Sequence, residues 1–179
     1  MKIINQNKQK DELATGFLNH IHDEKVKTQS ERASFIISKL AFVTGFFGLG
    51  SLKIENSINL NWLLFFVPVI AICYDLYINA SDSSIKKIGA FVKRNESIGI
   101  SELEKDWEMF SAKERDVFAP IANFIVTIVI IFAACIGTYF SLNKVMDAWI
   151  FWYAFVLIAE IFIWIAHKKY ISKLDKEDK

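Results

Sequence analysis

The sequence has little cysteine, and it lacks the motifs of the common enzyme classes. Cys73 and Cys135 lie in separate apolar stretches, so the Cys-x-x-Cys pair that thiol oxidation in a helical bundle requires is absent. Gly-x-Ser-x-Gly, His-Glu-x-x-His and a phosphate-binding glycine loop are absent too. His20 and His22 point in different directions on a helix, which favours a solvated face over a metal site. We therefore expect no catalytic residues, no metal and no cofactor.

An excess of charge of one sign is also missing, because 21 Lys and Arg residues are offset by 20 Asp and Glu residues. Nucleic-acid binding needs a concentrated positive face that meets the phosphates. The sequence therefore argues against direct nucleic-acid binding. A cleavable signal peptide is not expected either, because the polar segment 1–32 precedes the first apolar run and that run lacks a small-residue cleavage site.

Apolar and aromatic residues are abundant instead. Hydrophobic types make up 53% of the chain, with 16 Phe and 5 Trp, which suits a lipid environment better than a soluble core of this size. A helix crosses the bilayer core with about 20 apolar residues, and roughly 17 to 25 are tolerated. A soluble bundle would need a polar face on each helix, yet the stretch 124–134 offers only Thr127. The apolar residues gather in four runs, 35–52, 60–78, 119–140 and 148–166.

Basic residues outside these runs are distributed unevenly. The N-terminal segment, the central loop and the C-terminal tail hold 18 of them, whereas the two short connections hold only Lys53 and Lys144. The positive-inside rule therefore places the three basic segments in the cytoplasm. We predict an all-α, multi-pass protein of the bacterial inner membrane with both termini cytoplasmic. Its parts are an amphipathic segment (1–34), a first antiparallel transmembrane hairpin (35–78), a cytoplasmic helical loop (79–118), a second hairpin (119–166) and a cytoplasmic tail (167–179).

Amphipathic stripes in the central loop indicate a surface for a protein partner. Ile85, Ile88 and Val92 recur at helical spacing beside basic residues, and this stripe can extend the second span. A capping box, Ser-x-x-Glu, precedes a further apolar face. We expect a cytosolic protein to bind this loop. The candidate partner-binding residues are Lys86, Lys87, Lys93, Arg94, Trp107 and Phe110.

Three ionisable residues, Lys39, Asp75 and Glu160, lie within the spans. Lys39 and Asp75 are each eighteen residues from Ser57, in the connection between the first two runs, so an antiparallel pair of helices would hold them at similar depth. Glu160 lies about 10 Å above the cytoplasmic end of its span. Such groups usually face the bundle interior or a water-filled cavity. Two interpretations stay open: an ion path, gate or proton-sensitive switch, or a Lys39–Asp75 pair that only fixes helix register.

Small residues four positions apart let helix backbones approach closely. The pattern fits packing within one protomer, and it also fits a contact between copies of the chain, for instance around a pore. The residues are Ala41 with Gly45, Thr44 with Gly48, and Ala133 with Gly137.

Three segments carry a resemblance to a known group of proteins: YDLYI (74–78), IKKIGAFV (85–92) and WEMF (107–110). Their order resembles that in small bacterial membrane proteins of phage-defence loci, such as retron transmembrane effectors and the membrane subunit of the Kiwa system. The similarity covers the second span and the central loop, about a quarter of the chain. It implies a two-part device, in which a cytosolic partner binds the loop and the spans sense or breach the membrane.

Three functional hypotheses follow. The first is a non-enzymatic, homo-oligomeric component of an antiphage defence module, either a sensor or a membrane-permeabilising effector. The second is a small ion channel or proton-coupled transporter built around Glu160, Asp75 and Lys39. The third is a membrane scaffold. The second hypothesis predicts that Glu160→Gln abolishes transport. The first predicts that the defence activity depends on Trp107 and on the basic residues of the central loop.

Overall fold

The computed structural model describes residues 2–51, 60–94, 106, 110, 118–141 and 148–176, with side chains for most of them. Over this part of the chain the backbone is helical and contains no strand, which confirms the all-α class. The elements are α1 (Lys2–Ser51), a 3₁₀ helix (Leu60–Phe65), α2 (Val67–Arg94), α3 (Phe118–Ser141) and α4 (Ala148–Lys176).

Within the described part of the chain, four helical stretches are long and apolar enough to cross a membrane. Their outward faces carry large apolar side chains, and Phe151 and Phe162 are 75% and 72% exposed. Exposing apolar area to water costs about 25 cal/mol per Å², whereas lipid hydrocarbon imposes no such cost. The chain is therefore a multi-pass membrane protein. The candidate spans are Thr15–Gly50, Leu60–Val92, Phe118–Phe140 and Trp149–Leu174.

The first apolar run is the C-terminal part of a much longer helix. α1 continues without a break through 50 residues, so the predicted amphipathic segment and the first run belong to one helix. At 1.5 Å per residue this helix is about 75 Å long, more than twice the roughly 30 Å of the hydrocarbon core. The chain has no proline before Pro68, so α1 keeps all its backbone donors. α1 therefore extends beyond what a single span needs.

The second apolar run departs from the prediction at its start, because it is not one continuous α-helix. Pro68 has no backbone N–H, so the carbonyl of Leu64 receives no helical hydrogen bond. The Phe66 N–H donates to the Leu63 carbonyl over 3.0 Å, a 3₁₀-type contact, and the Ile70 N–H donates to the Phe66 carbonyl over 2.9 Å. Regular α-helix begins only at Val67, and it includes the predicted Ile85–Val92 stripe.

The chain divides into two compact units. The first, which we call the apolar unit, comprises Ala33–Asn79 and Val117–Lys169. Its core contains Val43, Val67, Ala71, Ile131, Ala134 and Val156.

The second, the charged unit, comprises Met1–Arg32, Ala80–Asp116 and Tyr170–Lys179. Among its described residues, Leu18, Ile21 and Val92 are buried. The ring of Phe17 meets that of Phe91 edge-on, with centroids 6.0 Å apart. The charged unit therefore contains buried apolar side chains and an exposed aromatic contact.

Candidate functional site

Lys39 of α1 and Asp75 of α2 form an ion pair inside the apolar unit. The Lys39 Nζ lies 2.6 Å from Asp75 Oδ1, and each side chain is only 1% exposed. Their equal spacing from Ser57 predicted that they would lie at similar depth. Removing a charge from water is expensive, so a buried pair persists only when further hydrogen bonds complete it.

Two side chains of α3 complete this pair. Asn123 and Thr127 are four residues apart, so they lie on one face of the helix. The Lys39 ammonium donates to Asn123 Oδ1 over 3.1 Å and to Thr127 Oγ1 over 2.5 Å. In turn, Asn123 Nδ2 donates to Asp75 Oδ1 over 2.6 Å, and the Thr127 hydroxyl donates to Asp75 Oδ2. We call Lys39, Asp75, Asn123 and Thr127 the polar cluster.

Each polar atom of the two charged groups in the polar cluster has a hydrogen-bond partner. A lysine ammonium has three N–H donors and no acceptor, and three oxygen atoms lie within hydrogen-bonding distance of Lys39 Nζ. Both carboxylate oxygens of Asp75 accept hydrogen bonds. A completed buried network is rigid, whereas loss of one charged partner typically costs about 3–5 kcal/mol. The cluster thus ties α1, α2 and α3 together.

Glu160 of α4 is buried in the same unit but is not satisfied in this way. It is 3% exposed, and its Oε2 has no hydrogen-bond partner. An unsatisfied buried polar atom costs roughly 1–3 kcal/mol. The site therefore combines a closed ion pair with a second acid that has hydrogen-bonding capacity to spare.

A second hydrogen-bonded group compensates for Pro68. The Tyr153 hydroxyl donates to the free Leu64 carbonyl over 3.1 Å. Tyr153 has only one hydroxyl proton, so in its 2.7 Å contact with Thr138 the threonine is the donor. Trp152 Nε1 donates to the neighbouring Phe65 carbonyl over 3.2 Å. Side chains of α3 and α4 thus hold the irregular start of the second span.

Most of the predicted small packing residues face away from the rest of the chain. Ala41, Thr44, Gly45, Gly48 and Ala133 are exposed. A Cβ atom at Gly45 or Gly48 would meet nothing within 4 Å, whereas one at Gly137 would lie 3.4 Å from Leu64 Cδ1. Of these glycines, Gly137 alone packs closely within the protomer.

Of the predicted partner-binding residues, Lys86, Lys87 and Phe110 are described, and they lie in the charged unit. Lys86 Nζ is 2.9 Å from Asp82 Oδ2, and Asp82 also pairs with Arg32 at 3.8 Å. Lys87 lies over the Tyr170 ring, 5.7 Å from its centroid. Phe110 is 57% exposed. Trp107 and the side chains of Lys93 and Arg94 lie outside the described residues.

The sequence prediction did not assign Asn123 and Thr127 to the site, although α3 contributes half of the polar cluster. A polar pair at helical spacing in a run without charges was the available signal, because such a pair needs a partner in a membrane. Comparison of the chain with protein-family models, curated proteins and solved structures finds no match. The resemblance to phage-defence membrane proteins therefore stays a hypothesis.

Proposed function

We propose that this chain is a small ion channel or proton-coupled transporter whose working site is the polar cluster together with Glu160. The observation that carries the proposal is the unpaired, buried carboxylate oxygen of Glu160 in a unit that already holds a buried ion pair. Ionisable groups inside a membrane are costly and characteristically mark ion pathways and proton relays. A purely structural pair would need no second acid.

The chemistry of the site supplies two alternative states. A charged Glu160 competes with Asp75 for the Lys39 ammonium and repels the Asp75 carboxylate. A neutral Glu160 does neither, so Asp75 keeps the ammonium. Taking up or losing one proton at Glu160 would therefore shift the preferred position of Lys39, which gives the bundle the two-state element that coupling requires.

The proposed topology is two antiparallel hairpins with both termini in the cytoplasm of a bacterial cell. The distribution of basic residues, 18 against two, supports it. The Lys39–Asp75 contact is what such a first hairpin requires. Reporter fusions after residues 57, 110 and 145 test the proposal, which predicts external, cytoplasmic and external signals in that order.

Reconstitution into liposomes tests the function. We expect the wild-type chain to carry protons or monovalent cations across the membrane, and Glu160→Gln to abolish the flux because the replacement cannot exchange a proton. The matched control is Glu31→Gln, since Glu31 lies on the surface of the charged unit, 4.0 Å from Lys27. Flux by Glu160→Gln equal to that of the wild type, at equal incorporation, would contradict the proposal.

A second candidate is the membrane component of an antiphage defence module, acting as a homo-oligomer with a cytosolic partner. The charged unit favours it, because a span alone needs no such unit. The open surface at Gly45 and Gly48 supports close contact between copies. The test of this candidate is to express the chain in a bacterium with and without the gene that lies next to its own, and to measure phage plating and membrane potential. Unchanged values in every combination would exclude it.

A further inference from the structure

We infer that Asp75, Asn123 and Thr127 form a binding site for a monovalent cation, and that the Lys39 ammonium fills this site in the structure. One carboxylate, one amide and one hydroxyl oxygen converge on Lys39 Nζ at 2.6, 3.1 and 2.5 Å. The three oxygens come from α2 and α3, whereas the cation arrives on the side chain of α1. We call these three oxygen atoms the cage. The cage and the cation that fills it thus belong to different helices.

The composition of the cage selects the class of cation. It carries one negative charge and two neutral oxygens, which balances a single positive charge. Ca²⁺ takes six to eight oxygen ligands, often from several carboxylates, and Mg²⁺ demands octahedral geometry and usually retains water. Among the described residues, no group of three His, Cys, Asp or Glu side chains could hold a metal ion. The cage therefore suits Na⁺, K⁺ or a small ammonium ion better than a divalent cation.

Glu160 gives the lysine a second place to bind. Its Oε2 is buried without a hydrogen-bond partner. Movement of the ammonium from Asp75 to Glu160 would free all three cage oxygens and leave the Asp75 carboxylate without its counterion. A free cation could then replace the tethered one. This use of the site rests on the proposed function, whereas cation binding itself does not.

Lys39→Ala in the purified full chain tests the site without any transport measurement. Thermal unfolding in detergent is followed in sodium, potassium or methylammonium chloride, with choline chloride keeping the ionic strength constant. We expect at least one of the three small cations to raise the unfolding temperature saturably, by roughly 3–6 °C at ten times its dissociation constant. The wild type and the exposed-lysine control Lys27→Ala should show no such difference. Lys39→Ala with Thr127→Val should lose the effect, because one cage oxygen is gone.

A folded Lys39→Ala protein that unfolds at the same temperature in all four salts would overturn the inference. If the variant does not accumulate, cells are grown with and without methylammonium, which can occupy the emptied cage. Recovered abundance supports the site, and failure to accumulate in either medium overturns it. Saturable binding without flux in liposomes would support the site and contradict only the proposed transport function.

Discussion

The buried ion pair makes a quantitative prediction about stability. Asp75→Asn leaves the Lys39 ammonium buried without its counterion, and loss of one partner from such a pair costs about 3–5 kcal/mol. For a chain of this size that corresponds to a decrease of roughly 6–20 °C in the unfolding temperature. Lys39→Met should cost a similar amount, because each charge keeps its hydrogen bonds to Asn123 and Thr127 when the other charge is removed.

The double variant Lys39→Met with Asp75→Asn separates the pair from its surroundings. It removes both charges, so it should be more stable than the two single effects predict, with a coupling of about 2–3 kcal/mol. Unfolding in detergent, by heat and by denaturant, measures all four proteins of the cycle. Strictly additive effects, or an Asp75→Asn protein as stable as the wild type, would refute the assignment of a charged, buried pair. If exchanging Lys39 and Asp75 restores the abundance of the protein but not its ion flux, the pair serves mainly to fix the register of the helices.

Three further outcomes follow from the structure. Tyr153→Phe should lower stability by about 1–2 kcal/mol in thermal unfolding, because the Leu64 carbonyl loses its donor. Gly50→Ala should be about 1–2 kcal/mol less stable than Gly48→Ala, since its Cβ would lie 2.9 Å from Leu64 Cδ2, whereas a Cβ at Gly48 meets nothing within 4 Å. Gly45→Cys in a cysteine-free background should form disulfide-linked dimers in membranes if copies meet at this open surface.

Each of these three outcomes has a control. Tyr139 is 64% exposed, so Tyr139→Phe should be neutral, and an equal loss there would contradict the role given to Tyr153. Equal stability of the two glycine variants would show that Leu64 moves freely. Ile37→Cys lies on the same helix at a large, exposed side chain, so dimers that form equally well there would argue against a specific contact at Gly45.

The amino-acid sequence determined the membrane character of this protein. Hydropathy adds up residue by residue along the chain, so the four runs and their lengths can be read without knowledge of any tertiary contact. The pairing of Lys39 with Asp75 was accessible for a similar reason, because equal spacing from a single connection constrains depth. The continuity of α1 and the break before Pro68 were less accessible. They depend on which groups satisfy the backbone hydrogen-bonding atoms at the helix ends.

Only the tertiary structure decided which polar groups of different helices satisfy one another. Asn123 and Thr127 lie more than forty residues from Asp75 in the sequence, and their spacing on α3 indicates that they need a polar partner but not which residue it is. The same holds for Tyr153 and the carbonyl left free by Pro68. Hydrogen bonds are short and directional, so their matching depends on three-dimensional positions that composition and periodicity do not encode.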